Sequence, residues 1–150
     1  MNNIEWRYKT FGELSAIELY KILKIRSEVF VVEQNCVYLD ADGKDQLAFH
    51  LTGWLQSEAV AYVRILPPGL AYDEAAIGRV LTSKNQRRYG TGRVLMEKAI
   101  DFTLKQFNTG AIRIGAQVYL EKFYTSLGFN KASDEYLEDG IPHIEMLFTK

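Results

Sequence analysis

Apolar and polar residues alternate over residues 4–8, with Ile4, Trp6 and Tyr8 on one face, which predicts a first strand. Ser15 followed by Glu18 has capping-box spacing, in which each side chain satisfies the other residue's backbone amide. Behind it, Leu19, Leu23 and the run from 26 to 30 continue a helix with an apolar stripe. Residues 48–55 and 59–66 read as two strands of a hairpin, split by Gln56-Ser57-Glu58. Pro67-Pro68-Gly69 ends the second, because proline cannot continue a ladder. Residues 75–82 predict another strand. Residues 90–107 form the best helical pattern, with Leu95, Ala99 and Phe102 on one side. A strand over 111–117, a short helix over 120–127 and a final strand over 144–148 complete the chain. The order β-α-β-β-β-α-β-α-β predicts one mixed sheet flanked by helices, an α/β fold of the α+β kind.

Composition narrows the classes of function. A chain of 150 residues with 47% hydrophobic and 13% aromatic residues suits one domain with a real core. Its 18 basic and 19 acidic residues leave a formal charge of −1, which argues against a surface built for nucleic acid. The single cysteine, Cys36, excludes an intrachain disulfide framework and a cysteine-based zinc finger. With His50 and His143 it makes no convincing zinc site, so no metal is expected. The first residues carry no long apolar run, and no window reaches membrane-helix length. A cytoplasmic protein without membrane or nucleic-acid partners is the expectation.

The most informative segment is Arg87-Arg88-Tyr89-Gly90-Thr91-Gly92, which leads from a strand and a polar loop into the long helix. A helix N-terminus offers unpaired amides and partial positive charge, and glycines there let a ligand approach the backbone. With Arg87 and Arg88 this would make a pyrophosphate cradle. The plainer alternative is a glycine-rich turn with two solvated arginines. The Walker pattern is absent, and Leu95 stands where a dinucleotide fingerprint needs a third small residue. Ile112-Arg113-Ile114 occupies the region where that fingerprint's carboxylate belongs.

This segment resembles the Arg/Gln-x-x-Gly-x-Gly/Ala acetyl-CoA motif of the GNAT N-acetyltransferase superfamily. Downstream, Phe123-Tyr124-Thr125-Ser126-Leu127-Gly128-Phe129 resembles the superfamily's Tyr-x-x-x-Gly-Phe segment. The stretches from Arg26 to Cys36, Ile77 to Val80, Gly115 to Gln117 and Glu138 to Ile144 are similar to the bacterial ElaA-type branch. The resemblance runs from about residue 5 to the C-terminus, so residues 1–150 are read as one GNAT domain.

The resemblance implies a fold with a single mixed, mostly antiparallel sheet, acetyl-CoA as co-substrate, and a small-molecule or peptide amine as acceptor. It implies that Val80, Leu81 and Thr82 offer backbone groups to the pantetheine arm. Arg87, Arg88, Tyr89, Gly90, Thr91, Gly92 and Arg93 would hold the pyrophosphate. Tyr124 matches the family's general acid for the leaving thiolate. Gln117 stands where many members carry asparagine. Dimers are common among such proteins, which leaves a homodimer open. Transfer of a longer acyl group, as in acyl-homoserine lactone synthases, is the enzymatic alternative. A non-catalytic CoA-binding module is the other.

An amine must be neutral to attack a thioester, so something must take its proton. Glu33, in the apolar setting Phe30-Val31-Val32, His50, in a strand pattern, and His143, in an expected loop after Pro142, are the candidate bases. A water relay would need none of them. Cys36 is read as a structural or pocket-lining thiol. Asp40, Asp42 and Asp45 resemble the start of a calcium loop, but Leu51 stands where a closing glutamate belongs. They read as a solvated acidic loop at the acceptor entrance.

Overall fold

The eight strands of the computed structural model, which describes residues 3–150, form one sheet in the order β1-β2-β3-β4-β5-β8-β6, with β7 also paired to β8. The strands are β1 (Glu5–Thr10), β2 (Phe49–Leu55), β3 (Glu58–Leu66), β4 (Ala75–Thr82), β5 (Ala111–Gln117), β6 (Phe129–Lys131), β7 (Tyr136–Glu138) and β8 (Ile141–Thr149). Every pairing is antiparallel except that of β4 with β5. The helices are α1 (Ala16–Arg26), α2 (Thr91–Gln106) and α3 (Glu121–Ser126). No described helix is long and apolar enough to cross a membrane.

The two faces of the sheet carry separate cores because side chains alternate along each strand. On one face, Ala61, Val63 and Ile65 of β3 and Ile112 and Ile114 of β5 pack against Leu95, Met96, Ala99 and Ile100 of α2. Phe102, expected on the same side of α2, packs edge-on against Phe49 and stacks on Tyr8. On the other face, Ile22 and Ile25 of α1 pack on Trp54, Tyr62 and Leu81. Leu19 and Leu23 lie half-buried at the margin of that contact, so the buried stripe is centred on Ile22, Ile25 and Val29.

The Ser15–Glu18 capping box forms as its spacing predicts: Glu18 N donates to Ser15 Oγ and Ser15 N donates to Glu18 Oε1. Past Arg26 the helix widens into π-helical turns over Ser27–Glu33. Two short strands escape the sequence pattern. β6 and β7 have three residues each, too few for alternation to register, and both lie along β8. The final strand starts at Ile141 rather than 144, so His143 sits in a ladder and not in a loop.

Candidate active site

The parallel pair of strands opens the site. β4 and β5 are paired only at Ala75↔Ile112 and Ala76↔Arg113. Beyond Ala76 they diverge, and the edge of β4 from Ile77 to Thr82 faces a cleft of about 1110 Å³ instead of a neighbouring strand. The cause is visible on the other side of β4. Tyr62 pairs with Leu81 and Arg64 with Gly78, so β4 carries one extra residue between them. Arg79 in this bulge has φ 53, left-handed backbone that is uncommon outside glycine.

The bulge is held by a buried ionic cluster. Arg79 donates to Asp40 Oδ1 at 2.7 Å, and Arg26 Nε donates to Asp40 Oδ2 at 2.8 Å. Asp45 Oδ1 accepts from Arg26 at 2.8 Å and from Arg64 at 3.0 Å, and Arg64 also holds Asp42 at 2.8 Å. The expected solvated acidic loop is therefore corrected: Asp40 and Asp45 are buried, each matched by arginine. Burial opposes the charge on Asp42 and Asp45, but the arginine contacts outweigh it and hold both carboxyls below their usual range. Their oxygens bind guanidinium, and among the described residues no group of three acidic, histidine or cysteine residues is arranged for a metal.

On the α2 face, the segment from Arg87 to Gly92 leads into the start of α2. Gly90 caps α2 with φ 75, and a β-carbon there would meet nothing within 4 Å, so the backbone at the helix start is open to a ligand. The amides of the first turn have no intrahelical partner. Gly92 lines the cleft beside Thr82. Arg87 reaches into the cleft, donating to Thr82 O at 3.0 Å and pairing with Glu33 at 2.8 Å. Arg88 and Tyr89 are exposed, and Thr91 is buried. The Arg93 side chain turns away, donating to Ser126 Oγ at 2.9 Å and so joining α2 to α3.

Tyr124 enters the cleft from α3. Its ring is buried, edge-on to Phe123 and Phe129. Its hydroxyl has no hydrogen-bond partner among the described residues. Burial, with a smaller push from Tyr119, raises the phenol well above its usual pKa, so the group keeps its proton at neutral pH. Val80, Leu81 and Thr82 line the cleft opposite.

The face that carries α1 meets the same cleft. Gln117 and His143 are register partners in the β5–β8 ladder, and both line it. Gln117 Nε2 lies 3.4 Å from Gln34 Oε1. Gly115 leaves room for the hydroxyls of Tyr136 and Tyr72, which a β-carbon would meet at 3.2 and 3.3 Å. Cys36 also lines the cleft, near Asp139 O.

The three candidate bases separate. His50 lies away from the cleft: its ring is buried, one nitrogen 2.6 Å from Tyr62 Oη and the other 2.9 Å from Asp45 O. It is a bracket in the core, and burial lowers its pKa. Glu33 lines the cleft, but its expected apolar setting is replaced by an ion pair with Arg87. His143 faces the cleft from β8. Of the acidic loop expected at the acceptor entrance, Asp42 lines the cleft, while sequence reasoning missed Tyr38 and Arg79, because long-range pairing alone brings them to the splay.

A sheet that opens between its parallel strands beside a helix N-terminus defines the class. Residues 44–150 match the family model for the acetyltransferase (GNAT) domain. ElaA of Escherichia coli K12 is 42% identical over 145 residues, covering 95% of each chain. The crystal structure of E. coli ElaA superposes with a TM-score of 0.91 over 97% of this chain and 99% of that one. An acyl-CoA N-acyltransferase from Pseudomonas aeruginosa gives a TM-score of 0.91 at 37% identity over 97% of this chain and 99% of that one. An aminoglycoside 6'-N-acetyltransferase complexed with coenzyme A shares the fold, with a TM-score of 0.70 at 13% identity over 95% of this chain and 96% of that one. The chain belongs to the GNAT acetyltransferase family. Within that family it is of the ElaA type.

Proposed function

We propose that this chain transfers an acetyl group from acetyl-CoA to a primary amine by direct attack of the amine on the thioester. Residues 1–150 are read as one domain with this activity. The observation that carries the reading is the splay itself: the unpaired edge of β4, the start of α2 and the Tyr124 phenol all meet in one cleft. The relatives are consistent with it, since one is an acyl-CoA N-acyltransferase and a neighbour of the same fold is complexed with coenzyme A.

In this reading the first-turn amides of α2, with Gly90 giving open access, bind the pyrophosphate, and Arg87 and Arg88 add positive charge. The backbone edge from Val80 to Thr82, which is unpaired to β5 and gives only Thr82 O to Arg87, aligns the pantetheine arm as an added strand would. Backbone amides there stabilise the oxyanion of the tetrahedral intermediate. Tyr124 protonates the departing sulfur, and its raised pKa keeps that proton available until the thiolate forms. Gln117 lines the cleft at the point where the two faces of the sheet meet.

A thermal-shift titration with acetyl-CoA tests the reading, with NADH and ATP as controls and a long-chain acyl-CoA as a rival donor. A ligand at about one hundred times its Kd stabilises by about 2.7 kcal/mol. For a chain of this size that is a rise in Tm of roughly 5–10 °C. A rise with acetyl-CoA, followed by amine-dependent CoA release, supports the proposal. A rise only with the long-chain donor moves it to another acyl group, and no rise with either ends it.

A further inference from the structure

The cleft holds one imidazole lone pair that the cofactor cradle and Tyr124 leave unused. His143 Nδ1 lies 2.7 Å from Ile141 O. A carbonyl oxygen can only accept, so Nδ1 carries the hydrogen and the neutral ring keeps its lone pair on Nε2. Glu138 Oε2 lies 3.6 Å from Nε2, and a carboxylate has no hydrogen to give. Among the described residues no donor satisfies Nε2. The residue is only 6% exposed, yet it lines the cleft.

The ring is also fixed in place. His143 is paired to Gln117 of β5 on one side and to Tyr136 of β7 on the other, so two ladders hold its backbone. The Tyr136 ring stacks on the imidazole at 6.0 Å and 24°. A lone pair held rigidly in a cleft, with a backbone carbonyl fixing the opposite ring nitrogen and a carboxylate beside it, is the arrangement a proton acceptor needs. The other two candidates lack it: Glu33 is engaged by Arg87, and both nitrogens of His50 are used in the core.

We propose that His143 Nε2 takes the proton from the attacking amine, and that Glu138 is the positioning residue that steadies the imidazolium. This rests on the acyltransferase reading above. The amine nitrogen bonds to the thioester carbon and its N–H proton passes to Nε2. The C–S bond then breaks, and the sulfur takes the phenolic proton of Tyr124. The imidazolium releases its proton to solvent and the phenolate regains one, so amine and thioester become amide and thiol. The titratable groups facing the ring are Glu138 and Tyr136 from β7. Gln117 of β5 is uncharged, and Glu145, further along β8, is held by Arg113 at 2.9 Å.

The chain has two histidines, so nitrogen-15 NMR of histidine-labelled protein resolves them, with His143→Gln giving the assignment. The expected result is an Nδ1–H tautomer for His143 and, in Glu138→Gln, a lower kcat for CoA release at an unchanged KM for acetyl-CoA. His143→Gln should keep the acetyl-CoA thermal shift but lose about 10²-fold or more of the CoA release driven by phenethylamine, spermidine or glycinamide. An Nε2–H tautomer, a kcat unmoved by Glu138→Gln, or unchanged CoA release in His143→Gln overturns the proposal. If none of these amines is turned over by the wild type, the tautomer decides it. A wild type with no acetyl-CoA shift sinks the acyltransferase reading instead, and the imidazole result then stands apart from it.

Discussion

Arg26 Nε and Asp40 Oδ2 stand 2.8 Å apart, both side chains removed from solvent, and tie α1 to the loop that precedes β2. The same aspartate holds Arg79 in the left-handed bulge of β4. Strained backbone persists only where its surroundings fix it, and here the fixing contact is ionic. The bulge sits where β4 leaves β5, so the buried cluster on the α1 face and the open cleft are parts of one device.

Arg26→Ala should therefore destabilise the fold strongly. It leaves Asp40 and Asp45 buried with fewer partners, a loss of about 3–5 kcal/mol for a broken buried pair. Urea denaturation measures it. A loss within the range of an exposed ion pair would mean that water already reaches these carboxylates.

Tyr124→Phe should lower turnover about tenfold or more while leaving acetyl-CoA affinity near the wild-type value, because it removes a proton donor and little volume. Steady-state kinetics beside calorimetry separates the two quantities. Equal turnover would remove the phenol from the reaction.

Gly90→Val should weaken CoA binding. The φ of 75 is strained for any β-branched residue, and the added methyls would occupy the open space over the helix start. Calorimetric titration with CoA tests this, and unchanged affinity would argue that the ligand does not approach the backbone there.

Acid stability should depend on Glu18. Burial opposes its ionisation, but the Ser15 amide and the Lys9 and Arg7 cations outweigh this and hold its pKa down to about 2. In the unfolded chain a glutamate titrates near 4.3, so as pH falls the unfolded state binds the proton first. The contribution is full above about 4.3 and is lost progressively towards 2. Glu18→Gln should be less stable than wild type at pH 6, and the difference should shrink by pH 3 in denaturant melts. A gap independent of pH would refute the linkage.

Local pattern was legible wherever one residue or turn suffices to set structure. The Ser15–Glu18 cap, the β2–β3 hairpin, the amphipathic α2 and the Gly90 helix start all follow from neighbours within a few positions. The Asp40–Asp45 loop misled for the same reason: three aspartates near a glycine read as solvated, and their arginine partners come from α1, β3 and β4. His143 was legible as a candidate base, but its neighbours on β5 and β7 were not.

By itself the sequence determined the elements other than the short β6 and β7, the glycine-led start of α2 and the family to which its motifs belong. Hydrophobic periodicity, capping and turn chemistry act over a few residues and so can be read along the chain. Tertiary structure alone decided where β4 parts from β5, which carboxylates are buried, and which histidine faces the cleft. Those outcomes depend on strand register and on charges brought together from distant positions, such as Asp40 and Arg79, and no local pattern encodes them.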